Sequence, residues 1–456
     1  MLALHARDDR LRRADHLLPT AEGALETRPG AMQILAGPVE AAEPWGERIV
    51  AEKAGRIVIW DGEEHDLCAA GAVLQAASFQ ALTGDALRED RAYVADGVSS
   101  LWYVARRSGA YVRETVVNTI LDEAGAPYPI PIPWAIATWR NRLWIPVSDN
   151  RVGHCQNDRP AEWDPLWTVE CQGKAPGRVM AILDHGQSLA VGLSNAVWSI
   201  EGTSQYNWTR DEALSVGVAG ANAMDGDGAR LMILAPQGVF MGNDPTPLSE
   251  DIREAFAAPI GVGSLVLDTR RQLALVLVAG RLFAMHLAQP GRWGEIPDVQ
   301  ASGLLRTGNQ VGWYGADGVW LLMGRDSADK LLDGTERAFT SVYDTWEQRP
   351  NIAGNGRALC ERTLLEVQGS ARADATYTVR AGARAFTKSF SLVDEAVDAW
   401  DDTLDGDEAW LAWPSPPVRR ELVPRLDGES FRHTITADCY LQVRQFEPRY
   451  RFGQED

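Results

Sequence analysis

One pattern constrains this chain more than any other. A short apolar strand, a tight turn and a second strand recur seven times. The second strands are Ile57-Val58-Ile59, Leu101-Trp102-Tyr103, Leu143-Trp144-Ile145, Val197-Trp198-Ser199, Val239-Phe240-Met241, Leu282-Phe283-Ala284 and Val319-Trp320-Leu321. Their starts lie 37 to 54 residues apart, near the period of a propeller blade. Turn-forming residues precede them, among them Gly55, Asn141, Asn195, Gly280 and Asp317-Gly318. A lone hairpin buries one face and is marginally stable. Hairpins repeated at this spacing bury that face against the next when arranged in a ring. The expected fold is therefore all-β: a β-propeller of about seven blades over residues 41–350, an N-terminal arm over 1–40 and a C-terminal β domain over 351–456.

The length of 456 residues exceeds one ordinary core, and an apolar fraction of 45% speaks against wholesale disorder. Net charge is −19. Duplex binding usually needs a basic face, because neutralising phosphates releases counterions. The small arginine groups, Arg10, Arg12 and Arg13 and then Arg444, Arg449 and Arg451, read as solvated side chains. This balance argues against tight nucleic-acid binding and suits a surface that DNA passes without sticking. The stretch from Met1 to Arg7 turns charged before an apolar run develops, so no secretory signal is expected. No run reaches the roughly 18 apolar residues of a membrane span. A soluble product made in the cytoplasm follows as the expectation.

Local signals fill in the rest. Pro29-Gly30 marks a turn in the arm. Pro127, Pro129, Pro131 and Pro133 alternate with other residues, which suits an extended connector and not a central strand. Leu248 to Phe256 reads as a helix of about two turns, with Ser249 as its cap and Glu250 and Asp251 at its positive end. Asn351 to Gly356 reads as a hinge. The acidic run from Asp394 to Glu408 reads as an exposed loop, or as the lining of a passage or a partner surface.

Catalytic and metal signatures are weak. Cys68, Cys155, Cys171, Cys360 and Cys439 are odd in number and form no C-x-x-C pair, so free thiols are expected. His154-Cys155 with Cys171 is an incomplete zinc set. Asp225-Gly226-Asp227-Gly228 resembles the start of a calcium loop, but its twelfth position is Pro236, and a hairpin turn is the better reading. Asp344-Thr345-Trp346 shares only fragments of a sialidase Asp-box. Neither a G-x-S-x-G elbow nor a G-x-x-x-x-G-K-[ST] loop nor H-E-x-x-H occurs. Several of the 17 tryptophans fall on the repeat strands, where they would fill wedges between blades, and they read as core. No catalytic, cofactor-binding or metal residue is therefore expected.

An ordered series of landmarks resembles the tail nozzle proteins of short-tailed bacteriophages, also called packaged-DNA stabilisation or tail tubular proteins. The series runs Thr27-Arg28-Pro29-Gly30, Trp139-Arg140-Asn141-Arg142-Leu143-Trp144, Asp158 to Asp164, Ala196 to Ile200, Pro236 to Phe240 and Pro247 to Ile252. The resemblance implies a structural virion protein. It would be a homo-hexameric tube at the tail end, docked to a tail adaptor and to fibres or spikes. That tube retains packaged double-stranded DNA and conducts it at ejection, without sequence-specific binding and without enzymatic activity. Two other readings stand beside it: a propeller glycosidase acting on host polysaccharide, and a monomeric interaction propeller.

Overall fold

The computed structural model of the chain describes residues 11–452, apart from 16, 22–23, 69–71, 74, 84–86, 174–176, 258–262, 298, 323–327, 340, 346–357, 370–373, 393–417, 429–430 and 439–440. The expected hinge at Asn351–Gly356 and the acidic run at 394–408 lie outside the described residues. The chain divides into two compact units. One comprises residues 33–282 and 299–321, and the other residues 1–32, 283–298 and 322–456.

The first unit is a succession of antiparallel meanders. Four of them have four strands each. The first runs through Val39–Trp45, Arg48–Lys53, Arg56–Trp60 and Glu64–Cys68; the second through Gln75–Thr83, Leu87–Ala95, Trp102–Arg107 and Ala110–Thr115. The third comprises Ala137–Trp139, Arg142–Ser148, Arg151–His154 and Thr168–Glu170; the fourth Val179–His185, Ser188–Leu193, Val197–Glu201 and Thr209–Leu214. A three-stranded sheet of Met224–Gly226, Leu231–Ala235 and Gly238–Met241 follows. After it come the pair Ser264–Asp268 and Leu273–Val278 and then the strands Ala301–Thr307, Gln310–Gly315 and Gly318–Leu322.

The core of this unit lies between consecutive sheets. Trp45, Val50, Ile57 and Ile59 of the first meander meet Val94, Trp102 and Val104 of the second. Phe79, Tyr93 and Tyr103 meet Leu143, Ile145 and Trp163. Trp139, Trp144 and Val152 meet Ile182, Leu189, Val191 and Trp198. The expectation that Leu143, Trp144, Val197, Trp198, Leu282 and Phe283 are buried holds for all six.

The propeller does not hold. The hairpins lie in separate small sheets of unequal width, none closed into a barrel or curled, so the seven-bladed β-propeller is corrected to an all-β assembly of small sheets. The physical reason is that a repeated hairpin specifies pairing between sequence neighbours only. How wide a sheet grows, and whether it closes, depends on edges supplied from elsewhere in the chain. Thus residues 33–36 of the strand Ala31–Ala36, from far upstream, follow Gly318–Leu322 in the sheet order. There Gln33 Nε2 donates to the Asp317 carbonyl at 2.6 Å.

Two further local expectations are refined. The segment after Pro247 is a 3₁₀ helix, Glu250–Phe256, and Ser249 makes no side-chain cap. Its hydroxyl instead accepts the Val239 N–H at 3.1 Å, tying the helix start to a strand. Pro127 to Pro133 forms no strand, and an isolated bridge joins Leu121 to Pro127. Among the described residues, no helix is long and apolar enough to cross a membrane.

The second unit contains two packed groups of strands. In one, the order is Trp293–Ile296, Leu11–Asp15, Ser341–Thr345, Arg432–Ala437, Asp374–Ala381 and Arg384–Ser391. In the other it is Leu17–Pro19, Leu25–Thr27, Leu441–Phe452, Ala358–Gly369 and Val418–Leu422, with Leu426–Gly428 also on Ala358–Gly369. Period-two alternation is plain in Asp374–Ala381, where Ala375, Tyr377, Val379 and Ala381 turn inward. They join Leu17, Leu365, Phe431, Ile435 and Val443 in one core. A polar bridge crosses this core. Tyr377 hydroxyl meets His433 Nδ1 at 2.6 Å and Thr363 Oγ1 at 2.8 Å, and Tyr450 hydroxyl meets His433 Nε2 at 2.8 Å. His433 is fully buried, and burial pulls its pKa from 6.5 down to about 3.

Candidate functional site

Among the described residues of the first unit, two places carry polar chemistry beyond what a β framework requires. The first centres on Glu43, on the strand Val39–Trp45, where neighbouring positions are apolar and buried. Asn222 Nδ2 donates to its Oε1 at 2.8 Å, and the Ala76 N–H also donates to it. Gln75 Nε2 donates to Asn222 Oδ1 at 3.1 Å and to the Ala221 carbonyl at 2.7 Å, while its Oε1 accepts the Ile136 N–H at 3.0 Å. The Tyr314 hydroxyl shares Asn222 and feels the Glu43 charge. Burial outweighs these hydrogen bonds and pushes Glu43 from 4.5 up to about 8. A carboxyl so placed is protonated at neutral pH.

The second place is built on the turn between Ala137–Trp139 and Arg142–Ser148. Arg140 and Asn141 take φ of 50° and 54°, the two left-handed positions of a two-residue hairpin. That turn brings two guanidinium groups close enough to act on one another electrostatically. Arg140 lies 5.0 Å from the Trp139 ring centre and Arg142 5.6 Å from that of Trp208. Arg142 is 7% exposed. It donates to the Arg140 carbonyl at 3.1 Å, and Arg140 donates to the Gln187 carbonyl at 3.4 Å. The Nε of each is shielded from water and has no acceptor. A buried charge without a partner costs several kcal/mol.

Beneath the pair lies an aromatic box. His154 stands 4.6 Å from Trp144 and stacks on Trp167 at 5.9 Å with planes 10° apart. Trp208 Nε1 donates to His154 Nε2 at 3.1 Å, so the proton sits on Nδ1 and is donated to the Cys155 carbonyl at 2.8 Å. Burial lowers the His154 pKa to about 4.

These contacts place the residues singled out from the sequence. Both nitrogens of His154 are committed, and burial pushes the Cys155 and Cys171 thiols up to about 12, far from metal-binding thiolates. No metal-ligating group was found among the described residues. Asp225-Gly226 ends a strand and Asp227-Gly228 opens the hairpin turn that follows. Asp225 accepts the Leu267 N–H at 2.8 Å and pairs with Arg306 at 3.1 Å, and Asp227 accepts the Ala229 and Arg230 N–H groups. Thr345 of the Asp-box fragment accepts the His433 N–H at 3.1 Å. Neither Glu43 nor the arginine pair was legible as a site in the sequence. A charged residue inside a run of buried strand positions, as in Val39-Glu40-Ala41-Ala42-Glu43, is the signal that marks Glu43.

No family model matches the chain, and no curated protein matches it. Among solved structures, the crystal structure of the computationally designed Ika8 protein is 12% identical with a TM-score of 0.37, and the match covers 64% of this chain and 98% of that one. The resemblance to tail nozzle proteins rests on the sequence landmarks alone.

Proposed function

We propose that this chain is a structural protein of a short-tailed phage virion, acting through shape and assembly and not through catalysis. One observation supports the reading: the apolar and aromatic landmark residues, together with Arg28, are spent on internal framework. Arg28 is buried, donates to both carboxylate oxygens of Asp329 at 2.8 and 2.7 Å, and lies 3.9 Å from the Phe339 ring centre. Trp139, Leu143, Trp144, Trp163, Val197, Trp198, Val239 and Phe240 are all buried. A signature composed of packing residues belongs to a shared shape.

In this reading six copies form the nozzle at the tail end, bound to the adaptor and to fibres or spikes. Duplex DNA is held in the lumen and conducted outward at ejection. A closed ring needs one head-to-tail contact repeated about an axis. The net charge of −19 disfavours adhesive phosphate contacts along most of the surface. Native mass spectrometry of the purified chain, with electron microscopy of particles that carry it, tests the proposal. A six-fold ring at a tail tip is expected; a chain that stays monomeric and is absent from particles overturns it. A glycan-cleavage assay run alongside is expected to show no turnover.

A further inference from the structure

The geometry points to a phosphate-binding seat at the paired guanidinium groups of Arg140 and Arg142. Among the described residues neither arginine forms an ion pair, although the chain holds 63 carboxylates. Arg142 is more than nine-tenths buried, and its Nε is shielded with nothing to donate to. Arg140 repeats that unmet Nε two residues away. Two fixed positive groups on one hairpin, each against a tryptophan ring, match a tetrahedral oxyanion that accepts from both forks.

The surrounding charges leave the seat open. Asp158 acts on Arg142 electrostatically but pairs with Arg88 at 3.3 Å. Asp184 acts on Arg140, yet its Oδ1 accepts the Gly186 N–H at 2.8 Å. Asn141 and Gln187 are exposed at the rim and Arg140 is half-buried, so an anion reaches the pair from that side. The seat stands independently of the nozzle reading. Its ligand is a phosphate group, whether free or in a nucleic-acid backbone.

Line broadening of the phosphorus resonance of inorganic phosphate, with the full chain at constant ionic strength, measures binding directly. Saturable broadening is expected for the wild type. Arg140→Gln, at a half-buried position, is expected to weaken binding at least tenfold with an unchanged unfolding midpoint in the absence of phosphate, and Arg142→Gln is expected to weaken it likewise. Arg253→Gln, far along the chain on the exposed 3₁₀ helix, is expected to leave it unchanged. A second arm uses a short DNA duplex in a thermal-shift titration. A midpoint rise lost in Arg140→Gln assigns the seat to backbone phosphate, and no rise with the duplex beside saturable inorganic phosphate assigns it to the free anion. The proposal fails if the wild type shows no saturable broadening, or if Arg140→Gln binds as the wild type does.

Discussion

At the scale of single residues, Glu43 and His433 set the pH response of the regions around them. Glu43 rises from 4.5 to about 8 because burial disfavours its charge. Between those values the folded state holds a proton that the unfolded chain has released. Its contribution is therefore full below pH 4.5, falls as pH rises, and levels off above 8, by about 1.4 kcal/mol per pH unit at most. Glu43→Gln keeps the acceptor for Asn222 and cannot ionise. Chemical denaturation from pH 5 to 9 is expected to show the variant gaining on the wild type by about 1 kcal/mol or more at pH 8 and above. Parallel curves would refute the assignment. His433 runs the other way. Its pKa falls from 6.5 to about 3, so the unfolded chain takes up a proton first and stability is lost as pH drops through that window. Hydrogen-exchange protection in Arg432–Ala437, corrected for intrinsic rate, is expected to fall by a factor of ten or more from pH 7 to pH 5 if that strand opens with its unit.

At the scale of elements, the strands owe their places to side-chain fit. Trp144 packs against Trp139, Trp208 and His154, with ring centres 4.6 to 5.8 Å away. Trp144→Ala is expected to destabilise the first unit by about 3–5 kcal/mol, read as a denaturation midpoint shift. Gly312, on Gln310–Gly315, has no room for a methyl group, because a Cβ there would run into the Trp320 carbonyl of the adjacent strand. Gly312→Ala must therefore push two backbones apart, and a large loss of soluble yield is expected, whereas Gly220, where a Cβ would meet only ordinary van der Waals contact, tolerates replacement more easily. Much at this scale was legible beforehand. Leu143-Trp144 and Leu282-Phe283 announce buried strands because each local run is apolar, and Asp227-Gly228 announces a turn because Asp caps its own backbone. What escaped was non-local. Ser249 looks like a helix cap, yet its hydroxyl serves Val239 of a strand ten residues back. The partner of Glu43 is Asn222, 179 residues away, and that of Arg28 is Asp329, 301 residues away. Sheet closure depends on the same remote edges, and so a local period could not decide it.

At the scale of the whole molecule, the buried groups give the two units different stable ranges. In the first unit Glu43 weakens the fold as pH rises toward 8, while His154, lowered to about 4, weakens it as pH falls below 6.5; between 4.5 and 6.5 the two largely cancel. In the second unit His433 acts alone among these on the acid side. Calorimetry is expected to show the first unit losing midpoint temperature from pH 6.5 to 8, and the second losing it from pH 6.5 to 4.5. A shared shift of both transitions in one direction would count against these assignments.

The Thr27 hydroxyl accepts from the Leu441 amide at 2.8 Å across 414 residues, and Leu25–Thr27 pairs with Leu441–Phe452. During synthesis this early strand emerges long before its partner exists. At ordinary ribosomal speeds of about 5–20 residues per second, it waits roughly 20 to 80 s with an open edge. The strands of the first unit mostly follow one another in sequence, and all of them have been synthesised before Leu441. The ribosome thus imposes an order of events that equilibrium stability does not record, and a stop codon anywhere before Leu441 leaves the amino-terminal strand without its neighbour.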